Sequence, residues 1–129
     1  MLGMLLVFIG GGTGSVLRFL IASWMTPTEW EGAGPRFPFA TLGVNIIGCV
    51  FIGLIAGWCG KREWSRLLLM VGLLGGFTTF SAFGLDSVRL IMTGHGLRAI
   101  WYVAISVGGG MLGTWLALRG AGFLDSVPA

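Results

Sequence analysis

Long apolar runs alternate along this chain with short clusters of charge, glycine and proline. The first run extends from Leu2 to Met25 and stops at Thr26-Pro27, where Glu29, Glu31, Gly32, Gly34, Pro35 and Pro38 form a turn-rich connection. The second covers Phe39 to Cys59 and is closed by Gly60-Lys61-Arg62-Glu63. A third runs from Leu67 to Met92 and a fourth from Leu97 to Leu118. As a helix, each run reaches across a hydrocarbon layer of about 30 Å. The pattern therefore predicts an all-α integral membrane protein, with residues 1–129 forming a single transmembrane domain of four helices.

Composition strengthens that reading. Eight Lys/Arg and five Asp/Glu, 10% of the chain, cannot coat a soluble domain whose hydrophobic residues make up 55%. The mean hydropathy of +0.90 agrees. The first run lacks a positively charged start and carries Arg18, so it reads as a permanent span rather than a cleaved signal peptide. Cys49 and Cys59 both sit in the second run and read as small packing residues, with no Cys/His grouping at metal-ligand spacing. The net charge of +3 is scattered near the ends of the runs. It points to anionic lipid headgroups as partners and not to nucleic acid.

The middle of the third run, Gly72-Leu73-Leu74-Gly75-Gly76-Phe77-Thr78-Thr79-Phe80-Ser81, mixes glycines with hydroxyl residues. Gly eases an irregular turn, and Thr or Ser can satisfy the backbone groups it releases. A break is tolerable in a membrane only where protein or an enclosed cavity covers it. An unbroken helix with small packing residues fits the same letters, and both readings stand at this level. Elsewhere Gly10-Gly11-Gly12, Gly53/Gly57 and Gly109/Gly113 favour close helix contact. The first of these is no phosphate loop, since no strand precedes it.

Four spans put Lys61, Arg62, Arg66 and Arg119 on one side, and Arg36, Arg89 and Arg98, with Arg18 in the outer part of span one, on the other. Four against four gives the positive-inside rule nothing to act on. Orientation is then imposed by a partner, or the chain inserts both ways. Either favours assembly, without by itself establishing an antiparallel dimer.

Several polar groups need a reason to lie in apolar runs. Asn45, with Thr41 one turn before it, can hydrogen-bond an ion or lock two helices together. Phe77, Phe80 and Phe83 recur every three residues, and their positive ring edges suit a small anion as well as a core. Thr79 and Ser81 offer hydroxyls, and carbonyls near Gly75 and Thr78 could bind a cation, although helix capping uses the same groups. Tyr102 and Ser106, four apart on span four, extend a polar track or satisfy nearby backbone. Arg18 reads as an interfacial, snorkelling residue, and Asp86 and Arg89 as an i,i+3 pair. His95 falls in a turn, and no nucleophile with a base emerges, so an enzyme is not expected.

Three motifs bring these residues together: Gly11-Gly12-Thr13-Gly14-Ser15-Val16-Leu17-Arg18, Thr41-Leu42-Gly43-Val44-Asn45-Ile46-Ile47-Gly48, and Gly75-Gly76-Phe77-Thr78-Thr79-Phe80-Ser81-Ala82-Phe83. With them the chain resembles the small fluoride-channel family, also called fluoride exporters or camphor-resistance-type membrane proteins. The resemblance covers essentially all four spans. It implies an antiparallel homodimer of dual-topology subunits in a prokaryotic inner or plasma membrane, two passive fluoride-selective pathways, a structural sodium ion at the dimer centre and a break in span three near residues 75–81. It places Asn45 in the pore, Phe80 and Phe83 as ring edges, and the carbonyls of Gly75 and Thr78 on sodium. Thr41, Thr79, Ser81, Tyr102 and Ser106 become polar lining or support, and Arg18 matches the family's span-one arginine. The chain departs from the family pattern at Ala82, Gly84 and Asp86, where hydroxyls and a longer acid are common. Proton-coupled transport and a purely structural scaffold are the competing readings.

Overall fold

The computed structural model describes residues 1–25, 36–59 and 62–122. The expected turn residues Thr26 to Pro35, together with Gly60 and Lys61, lie outside them. Helices are α1 (Leu2–Met25), α2 (Phe39–Trp58), a short α3 (Glu63–Ser65), a π-helical stretch (Arg66–Leu74), α4 (Gly75–Phe77), α5 (Phe80–Met92) and α6 (Gly96–Gly120). No strand occurs among the described residues. Four helical stretches are long and apolar enough to cross a membrane: Leu2–Met25, Phe39–Trp58, Glu63–Met92 and Gly96–Gly120.

The third stretch starts at Glu63, four residues before the apolar run that marked it. The Ser65 hydroxyl donates to the Arg62 carbonyl at 2.8 Å, and the Arg66 N–H to the same carbonyl at 3.2 Å. These bonds close a first turn of charged residues that hydropathy reads as loop. Its far end closes at Gly94, whose φ of 79° a residue with a side chain rarely adopts. There the His95 N–H reaches the Leu90 carbonyl (2.8 Å) and the Gly94 N–H the Ile91 carbonyl (3.0 Å), ending α5 within two residues of Met92.

Backbones approach closely in two helix pairs. In one, α1 lies on the first half of span three. A Cβ at Gly14 would run into the Leu73 carbonyl oxygen, and one at Gly76 into that of Gly11. In the other, α2 lies on α6. Gly53 faces Thr114 and Ala117, while Gly109, Gly110 and Gly113 face Ile46, Cys49 and Val50. The two small-residue pairs noted in the sequence thus share one interface. The Thr114 hydroxyl crosses it to the Cys49 carbonyl at 2.9 Å. Thr114→Val is expected to cost about 0.6 kcal/mol, the usual size of such a bond between membrane helices. Unfolding in mixed micelles checks this, and a loss several times larger would give the hydroxyl more than a packing role.

Large apolar side chains point outward, as a lipid solvent requires: Phe8, Phe19, Met92 and Met111 are exposed. Trp24, Trp58 and Trp64 are exposed close to span ends, where indole rings settle at the headgroup level. The chain is a multi-pass membrane protein.

Candidate functional site

Between α4 and α5 the pair Thr78 and Thr79 leaves helical geometry. Thr78 has φ −84° and ψ 152°, Thr79 φ −143° and ψ 113°, both extended. Extended backbone takes these peptides out of the helical hydrogen-bond ladder, so each freed group needs another partner. The Thr78 N–H and its hydroxyl both donate to the Leu74 carbonyl, at 2.9 Å each. Thr79 caps α5, its hydroxyl accepting the Ala82 N–H at 3.3 Å and lying 3.2 Å from the Ser81 hydroxyl.

Asn45 satisfies the rest of Thr79. Its amide nitrogen donates to the Thr79 carbonyl at 3.0 Å, and its amide oxygen accepts the Thr79 N–H at 2.8 Å. The reciprocal pairing fixes which way the amide faces and leaves one Asn45 N–H uncommitted to Thr79. Gly48, one turn along α2, makes room for this approach, because a Cβ there would collide with the Thr78 methyl group.

Beside this junction opens a cleft of about 320 Å³ lined by Asn45, Gly75, Thr78, Thr79, Phe80, Phe83 and Ser106, with Cys49 and Met70 among its apolar neighbours. Phe80 is 85% exposed. Its ring lies 5.4 Å from that of Phe83, which in turn lies 5.4 Å from Tyr102. Phe77 is buried and does not line the cleft, since the extended residues separate its turn from that of Phe80. Among the described residues the buried Ser106 hydroxyl has no hydrogen-bond partner, and neither has that of Tyr102, whose side chain is fully buried. Neither spends its hydroxyl on neighbouring backbone. Among the described residues no donor reaches the carbonyl oxygens of Gly75 or Thr78.

The remaining residues expected at the site divide into two further groups. Thr41 lies outside the cleft and donates to the Asp86 carboxylate at 2.9 Å. That contact corrects the expected Asp86–Arg89 pair: Asp86 faces α2, while Arg89 is exposed. Tyr102 sits against Phe83 on one side and Phe37 on the other, the Phe37 ring edge-on at 5.7 Å. Ser81 is exposed and does not line the cleft. Arg18 is partly buried and reaches the Gly76 carbonyl through Nε at 3.3 Å, beside Ser15 at 3.4 Å. Sequence reasoning gave Ser15 no role, although its spacing of three from Arg18 put both on one helical face.

Amide, hydroxyl and phenyl-edge groups in a largely apolar cleft can replace part of a small anion's hydration. The described residues hold no group of three or more His, Cys, Asp or Glu side chains that could bind a metal ion.

Residues 5–118 match the family described as CrcB-like protein, Camphor Resistance (CrcB). The chain belongs to the CrcB-like family. Among its relatives, one from Rhizobium etli is 42% identical over 122 residues, covering 92% of this chain and 94% of that protein. Another, from Pseudomonas fluorescens strain Pf0-1, is 47% identical over 117 residues, covering 87% and 90%. A third, from Rhizobium meliloti, is 42% identical over 118 residues, covering 88% and 91%. Each of these CrcB-like relatives is named as a fluoride-specific ion channel, FluC, which is a channel and not an enzyme.

Proposed function

We propose that this chain is a passive, fluoride-selective channel that lets fluoride leave the cell down its electrochemical gradient. The observation that carries this is the reciprocal Asn45–Thr79 pairing, which holds a spare amide N–H at a cleft that Phe80 and Phe83 also line. The names of the relatives supply the ion. Asn45, the Ser106 hydroxyl and the phenyl edges replace part of fluoride's hydration shell, and among the described residues no Lys or Arg lines the cleft to trap it, as fast passage requires. Thr79, Ser81, Tyr102 and Thr41 support or extend this polar lining.

In this reading Thr78 and Thr79 are the functional break of the third span. Lipid cannot satisfy the backbone of Gly75, which is exposed and lines an open cleft. A second copy of the chain in opposite orientation would cover that face, and the four-to-four split of basic residues permits both orientations. Two copies give two pathways. The carbonyl oxygens of Gly75 and Thr78 fit a hard cation, since both residues line the cleft and neither oxygen has a donor among the described residues. They would hold the structural sodium ion, whose positive charge would offset the negative ends of these carbonyls.

Purified protein in lipid vesicles should release fluoride when the membrane potential is short-circuited. Phe80→Ile removes an exposed ring that packs on Phe83, so assembly should survive while fluoride flux falls by about tenfold, the cost of roughly one weak ring contact. Size-exclusion profiles alongside the flux separate the two effects. Folded dimers that pass no fluoride would favour the scaffold reading.

A further inference from the structure

The carbonyl of Gly76 sits near the C-terminal end of α4, where helical carbonyls lose their intrahelical donors. The residue four positions on, Phe80, belongs to the next helix and cannot supply the missing N–H. Two side chains of α1 do so instead: the Ser15 hydroxyl at 3.4 Å and Arg18 Nε at 3.3 Å. The Thr79 peptide, three residues along, is gripped from α2 by Asn45. The extended pair is thereby clamped from two sides, and the Gly14 and Gly76 contacts bring α1 close enough for its side to be made.

Arg18 is an expensive residue for this task. Its guanidinium is partly buried in a membrane-spanning helix, where a charge is costly unless it meets a partner. The partner is a neutral carbonyl at a helix C-terminus, the end at which backbone carbonyls concentrate negative potential. We propose that Arg18, assisted by Ser15, is a positioning residue. It holds the Gly76 peptide, and through it the orientation of Gly75 and Thr78 on the cleft, by hydrogen bonding rather than by its charge on the ion. The proposal rests on the channel reading for its functional consequence, but its structural content is independent of it.

Three substitutions distinguish a donor at the Nε position from a charge. Arg18→Gln places an uncharged N–H donor the same number of bonds from Cα as Nε. Arg18→Lys keeps the charge but puts a methylene there, and Arg18→Met has neither. Hydrogen–deuterium exchange of the Thr78 and Thr79 amides, with fluoride flux in vesicles, reads the outcome. Lys and Met variants should speed exchange there and slow flux by about tenfold, the loss of one hydrogen bond to a charged donor, with α6 amides unchanged. The Gln variant should stay within about threefold of the parent, and Ser15→Ala should shift both readouts by about threefold. A parent-like Lys variant with a defective Gln variant would overturn the proposal in favour of a charge effect. Unchanged exchange in the Met variant would overturn it outright. If the Lys and Met variants fail to fold, Ser15→Ala and Arg18→Gln decide it: exchange at Thr78 and Thr79 unmoved in the first, or raised tenfold in the second, counts against it. Should the parent protein carry no fluoride, the channel reading falls while the exchange series still decides whether Arg18 holds the junction.

Discussion

Asn45→Asp should reduce fluoride flux by at least about a hundredfold, which corresponds to roughly 2.8 kcal/mol. The wild-type amide donates to the Thr79 carbonyl and accepts from the Thr79 N–H. Aspartate keeps the acceptor and loses the donor, so a carboxylate oxygen is left facing a carbonyl oxygen. Leaving one buried polar group unpaired costs about 1–3 kcal/mol, and more when a charge is involved. The new negative charge also faces the cleft through which an anion would pass. Asn45→Ala removes both bonds without the charge and should fall between aspartate and the parent. Flux measured per folded protein, with elution volume as the folding check, gives the ranking. An aspartate variant that conducts like the parent would remove Asn45 from both its backbone role and the pathway.

Gly14→Val is the substitution expected to damage the fold most. A Cβ at Gly14 runs into the Leu73 carbonyl oxygen and would lie 2.8 Å from the Phe77 N–H nitrogen. Both neighbours are backbone, so no side chain can swing aside. Overfilling a packed site typically costs about 1–3 kcal/mol, and a rigid peptide wall puts this case at about 3 kcal/mol or above. Because Gly14 is one turn from Arg18, the same shift would pull Nε from the Gly76 carbonyl. Gly12→Ala is the control: nothing lies within 4 Å of a Cβ there, and its stability should match the parent. Equal losses in the two variants would show that glycine is needed for something other than close approach.

How much of this could be read from the letters differs by feature. The four spans were plain because each is a long apolar run between polar clusters, and helices 20 residues long or more occupy three of those runs, with a 30-residue helical stretch in the other. Glycine spacing marked small faces on the second and fourth spans, because a small face is a property of one helix; that the two meet is seen only in the structure. Pairing across helices carries no such mark. Nothing in the spacing tells that Asn45 meets Thr79, that Thr41 takes Asp86 from Arg89, or that Ser15 joins Arg18 on one carbonyl. The Phe77-Phe80-Phe83 series shares one face only where the backbone stays helical, which its spacing cannot tell, and two extended residues divide it. The π-helical stretch Arg66–Leu74 left no pattern that hydropathy distinguishes from an α-helix. Charged Glu63 and Arg66 hid the first turn of span three for the opposite reason: hydropathy reads charge as loop, whereas a helix can continue beyond the hydrocarbon into water.

The most direct test of the channel reading is electrical. Purified protein is reconstituted in a planar bilayer or vesicles with fluoride gradients, equal pH on both sides and chloride as the competing anion. The account predicts a fluoride current that reverses near the fluoride equilibrium potential, is indifferent to an imposed proton gradient and is not carried by chloride. A current that requires the proton gradient, or that chloride carries equally well, would contradict it.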